Sequence, residues 1–166
     1  MQSKNFYFTK HSKIILFLFG FLFFSQAQAA GGGSDNSTNN VTKSSYYYEA
    51  LKLIKNKSYE PAIDSLLSAE KMSKNDPDIY NYLGYSFRKI NKLDKAAFYY
   101  DKALSLSPKH KGALEYQGEM FLTLGQLEKA EDNLKKLEKI CFLGCEEEKM
   151  LKESISKYKQ GKKSNY

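Results

Sequence analysis

The chain has 166 residues and a formal charge of +7, enough for about one domain. Arg88 is the only arginine among its 26 basic residues. Bases and phosphates are read best by the bidentate guanidinium fork, so the composition argues against a nucleic-acid partner.

The first 13 residues carry Lys4, Lys10 and Lys13 and no acid, and 14–24 is an unbroken apolar run of 11 residues. Small residues follow at Ala27 and Ala29. This order of charge, apolar run and small residues predicts a secretory signal peptide over 1–29, cut after Ala29. A bilayer core needs about 20 apolar residues, so no stable membrane anchor is expected after cleavage. Without those three lysines, 23 basic residues face 19 acidic ones, a net charge of +4 spread along the chain. The expected destination is the periplasm, with secretion as the other outcome. Residues 30–45 are rich in Gly, Ser and Asn, lack periodicity and are expected to form a flexible leader.

From about residue 44 one pattern recurs every 34 residues. Ala50, Gly84 and Gly118 share a column, as do Ala62, Ala96 and Ala130; Leu53, Phe87 and Phe121; and Tyr59, Leu93 and Leu127. The period fits a helix–turn–helix repeat. Repeats are expected at about 44–75, 77–110 and 111–143. A capping helix over 146–160 completes a domain from 46 to 160, and a disordered tail is expected over 161–166. In the middle repeat Tyr80, Leu83 and Phe87 fall on one helical face. Asp76 can cap its first helix, with Pro77 in the first helical position and Pro108 closing the second helix. The cap carries Leu151, Ile155 and Tyr158 as an apolar stripe.

Tyr80, Leu83, Gly84, Phe87, Ala96, Tyr100, Ala103 and Pro108 resemble the tetratricopeptide repeat (TPR) family. The resemblance implies an all-α solenoid of three helix–turn–helix repeats plus the cap, and a concave groove lined by the first helix of each repeat. Glu49 and Gln117 depart from the pattern at positions where leucine is usual. Carried over column by column, the groove residues are Tyr47 and Leu51, then Asn81, Tyr85, Arg88 and Lys89, then Glu115 and Glu119. The carboxylate-clamp version of the family needs Lys, Asn and Arg at set columns. Here the first repeat offers Tyr47 and Leu51 and the third offers acids, so that clamp is not supported.

Catalytic signals are thin. His110 has no partner pattern around it and is expected to be a solvated turn residue, and no enzyme activity or cofactor is expected. Cys141 and Cys145 flank Phe142–Leu143–Gly144. In a regular helix their Cβ atoms would stand about 5–6 Å apart, beyond the roughly 3.5–4.5 Å of a disulfide. Gly144 can break the helix and close the gap. A disulfide is the reading an oxidising compartment favours, with a free buried pair and a redox or metal pair left open. The stretch 141–155 also looks like the C-terminal end of small exported TPR proteins of proteobacteria. The expected function is non-catalytic binding of a protein partner, through a peptide or helical segment, in the cell envelope. The alternatives are a thiol-dependent accessory protein using Cys141 and Cys145, and a self-assembling module, since the oligomeric state is open.

Overall fold

The computed structural model describes residues 43–162. The expected signal peptide, most of the leader and the last four residues of the tail lie outside them. Among the described residues there are seven helices and no strand: α1 Ser45–Lys55, α2 Tyr59–Met72, α3 Pro77–Lys89, α4 Leu93–Leu106, α5 Lys111–Thr123, α6 Leu127–Ile140 and α7 Glu146–Lys159. The pairs α1–α2, α3–α4 and α5–α6 are the three repeats. Helix α7 packs on α5 and α6, where the first helix of a fourth repeat would stand.

The turn inside each repeat is built the same way, with one residue in the left-handed region: Lys57 (φ 60°), Asn91 (φ 59°) and Gly125 (φ 72°), again 34 apart. In each case the next amide bonds back across the helix end, Ser58 to Leu53, Lys92 to Phe87 and Gln126 to Phe121. These bonds satisfy carbonyls that the helix would otherwise leave orphaned.

Small residues set how closely the helices approach. A Cβ on Gly84 would lie 2.6 Å from Cδ1 and Cε1 of Tyr100, and one on Gly118 2.7 Å from the Leu151 methyls. The ring of Tyr100 therefore packs directly on the α3 backbone. Around it Leu66, Ala69, Ile79, Leu83, Ala96 and Ala103 form one core cluster, while Leu114, Ala130, Leu137, Leu151 and Ile155 form a second under the cap.

The two departures from the repeat pattern have physical reasons. Gln117 is buried: its amide donates to Asp101 at 2.7 Å and its carbonyl oxygen accepts from Asn133 at 3.0 Å. A polar tie between α4, α5 and α6 thus replaces an apolar contact. Glu49 is exposed, as is Tyr46 at 43 %. The equivalent Tyr80 is covered by the preceding α2, and no described helix precedes α1.

Candidate functional site

Helices α1, α3 and α5 stand side by side and carry every groove candidate. Tyrosines form a row across them, joined by Tyr59 of α2. Tyr47 meets Tyr82 edge-on at 6.0 Å, Tyr85 meets Tyr59 at 6.1 Å, and Tyr85 meets Tyr116 at 4.8 Å. Such ring pairs add about 0.5–1.5 kcal/mol beyond their burial. Cations sit against the same rings. Arg88 lies 5.6 Å from the Tyr85 centroid, and Lys89 lies 5.8 Å from Tyr85 and 5.9 Å from Tyr59. Burial, with Tyr59 beside it, pushes the Tyr85 phenol up to about 12. Burial and the charges of Arg88 and Lys57 pull the Lys89 ammonium down.

The expectation of an open groove needs correction. Tyr47, Asn81, Arg88, Glu115 and Glu119 are buried, while Leu51, Tyr85 and Lys89 are partly exposed. Tyr47 belongs to the core cluster: its ring is held between Tyr48, Tyr82 and the Lys43 ammonium 4.9 Å from its centroid. Side chains from neighbouring helices crowd this face, which a column-by-column reading cannot register.

The electrostatics change along the groove. Arg88 and Lys89 make its α3 side basic. On α5, Glu115 and Glu119 stand one turn apart, and burial and the Glu119 charge push the Glu115 carboxyl up to about 8. Arg88 opposes this, and Glu147 of α7 adds to it. Several buried polar atoms make no hydrogen bond among the described residues: Asn81 Oδ1, Arg88 Nε and Nη2, and Glu115 Oε1. Each such group keeps an unmet desolvation cost of about 1–3 kcal/mol inside the packed face. The site thus offers acceptors and donors on one aromatic floor. It contains no arrangement of nucleophile and base.

His110 departs from the solvated turn expected of it. Its Nδ1 accepts from the Ala113 amide at 3.1 Å, capping α5, so Nε2 carries the proton and donates to Asp78 at 2.9 Å. Asp78 also receives Lys43 at 2.8 Å, and Lys43 bridges on to Asp76, the cap of α3. The hydrogen bond from His110, followed by Lys43 and against the effect of burial, holds the Asp78 carboxyl well below the usual range. The cluster ties the starts of α3 and α5 together. The asparagine or serine normally sought as a cap is absent at 110, so the sequence signal was weak.

The Cys141 and Cys145 sulfurs lie 2.17 Å apart, at disulfide distance, with Cα atoms 5.6 Å apart. Gly144, at φ +82°, makes the turn. Glu148 completes a trio of metal-type ligands within 4.8 Å. With the sulfurs bonded to each other, only one carboxylate remains to hold an ion.

The model of the tetratricopeptide repeat matches residues 77–110. Similar solved structures include the first TPR of Spaghetti (RPAP3) bound to the HSP90 peptide SRMEEVD. It is 17 % identical over 70 % of this chain and 89 % of that one, with a TM-score of 0.62. The Sgt2 TPR domain from Aspergillus fumigatus is 18 % identical over 70 % and 76 %, with a TM-score of 0.62. The second TPR domain of human RPAP3, in complex with the HSP70 peptide SGPTIEEVD, is 18 % identical over 68 % and 92 %, with a TM-score of 0.59. At these identities the likeness is one of fold. Among curated proteins nothing matches the chain.

Proposed function

We propose that this chain, which matches the tetratricopeptide repeat over 77–110 and shares the fold of TPR domains, is a non-catalytic scaffold that docks a peptide or helical segment of a partner protein in the α1–α3–α5 groove. The observation that carries the reading is the partly exposed Tyr85–Tyr116 floor, with the Arg88 and Lys89 cations against the Tyr85 ring. Tyrosine and arginine are the side chains most often found at the energetic centre of interfaces. Two of the similar structures hold chaperone peptides ending in Glu-Glu-Val-Asp. The same end would meet Glu115 and Glu119 here, so the partner of this groove is expected to present a basic or neutral side chain to α5 and an acceptor to Arg88.

The signal-like 1–29 segment supports an envelope location, periplasmic or secreted, which fractionation of cells carrying the tagged chain would test. Engagement of His110 in capping and of the cysteine sulfurs with each other favours binding over chemistry.

The decisive experiment is selection from a random peptide library on immobilised protein, repeated on a Tyr85→Ala, Arg88→Glu variant of unchanged helicity. A peptide that binds the parent and loses at least about tenfold on the variant supports the groove, since interface anchors of this type are worth about 2 kcal/mol or more. Peptides that bind both equally would sink it.

A further inference from the structure

The three second helices of the repeats, α2, α4 and α6, end at Met72, Leu106 and Ile140, again 34 residues apart. Equivalent positions of stacked repeats lie along one edge of a solenoid. Met72 is 67 % exposed and Leu106 42 % exposed, and just past Ile140 both Phe142 and Leu143 are 85 % exposed. The last two are the most exposed large apolar side chains among the described residues. They project from a loop closed at its base by Cys141 and Cys145.

Lysines border this ridge. Lys71, Lys74, Lys109, Lys111 and Lys139 are all exposed and make no ion pair among the described residues. The nearby acids of the first two repeats are already matched, Asp76 and Asp78 by Lys43 and His110, and Glu70 by Lys102. Glu146, Glu147 and Glu148 lie beyond the loop at the start of α7, so the positive field is strongest along repeats one and two. At the end of α2 a hollow of about 420 Å³ opens, lined by Lys71, Lys74, Asn75, Tyr80 and the Glu70–Lys102 ion pair. It is large enough for a phosphate-bearing headgroup.

We propose that this edge is a membrane-docking ridge. Phe142, Leu143, Met72 and Leu106 enter the headgroup–acyl boundary of an anionic bilayer, and the lysines lie over its phosphates. A line of separated apolar points that protrudes suits a deformable surface, whereas a folded partner would need a socket matched to each point. Apolar insertion combined with lysine attraction is the established physical basis of peripheral attachment. No helix among the described residues is long and apolar enough to cross a membrane, so the attachment would be lateral. The ridge shares no residue with the groove, and the proposal does not depend on the peptide-binding reading.

The chain has no tryptophan, so Leu143→Trp places a single local probe in the full chain. Because Leu143 packs against little, helicity should be unchanged. The probe is mixed with vesicles of phosphatidylglycerol and phosphatidylcholine, with bromine on the acyl chains. Expected are a blue shift and quenching that vanish on pure phosphatidylcholine. In a Lys71→Gln, Lys74→Gln, Lys109→Gln background the vesicle concentration for half-maximal quenching should rise about tenfold or more. Because the readout is local, attachment through the 1–29 segment alone would leave the emission water-like and unquenched, and that result overturns the proposal. Equal quenching on neutral vesicles overturns it as well. So does a blue shift without lipid that grows with protein concentration, which would assign the ridge to self-association.

Discussion

Replacing Glu115 by Gln removes the charge buried in the groove while keeping the side chain's size. Glu115 is 2 % exposed, and its carboxyl is pushed from 4.5 to about 8 by burial first and then by the Glu119 charge, with Arg88 opposing and Glu147 adding. Well below pH 4.5 the group is protonated in both the folded and the unfolded chain and contributes nothing. Between 4.5 and about 8 the unfolded chain ionises while the folded one does not, so folding stability falls as pH rises, and above about 8 the penalty is complete. At about 1.4 kcal/mol per pH unit the ceiling is roughly 5 kcal/mol. Movement of Arg88 toward the carboxylate and entry of water bring the expected effect to about 2–3 kcal/mol. The assay is urea unfolding followed by circular dichroism from about pH 4 to about pH 9. Glu115→Gln should match the parent at the acid end and exceed it by about 2–3 kcal/mol at the basic end, with the same dependence on urea. A difference that stays constant with pH, or a Gln variant that is weaker at high pH, would refute the reasoning.

Gly84→Ala should lower stability by about 2–3 kcal/mol in thermal or urea unfolding, because the new methyl meets the fully buried Tyr100 ring at 2.6 Å. Gly118→Ala should cost less, about 1–2 kcal/mol, since Leu151 methyls can turn aside; equal losses would argue against the ring as the rigid element. Lys57→Gly should stabilise the chain by about 0.5–1 kcal/mol, as a lysine at φ 60° carries strain that glycine lacks, and a loss on substitution would contradict this. His110→Ala should cost about 1–2 kcal/mol through the lost α5 cap and Asp78 bond, and His110→Asn should recover part of it by capping alone. Alkylation of the purified chain followed by mass spectrometry should show no uptake at Cys141 and Cys145 until a reductant is added; uptake of two groups without it would reject the disulfide.

The solenoid was legible because its cause is local and repeated. A 34-residue period of small and apolar positions dictates two helices and a close crossing whatever the rest of the chain does. Gly84, Ala96 and Ala103, small residues of that pattern, are all buried, and Asp76–Pro77 marked where α3 begins. Columns alone could not say which groove positions stay open. Tyr47 was assigned to the groove, yet Tyr82 of the next repeat packs on its ring and helps hold it in the core, a contact between side chains far apart in the sequence.

The sequence by itself determined helix number, repeat register and turn positions, since each follows from spacing within one repeat. Tertiary structure decided what depends on juxtaposition across repeats. It made His110 a cap that reaches Asp78, and it buried Glu115 so that the carboxyl keeps its proton against the opposing charge of Arg88. A charge or an exposed side chain acquires its role from what stands next to it, and that neighbour comes from another turn of the solenoid.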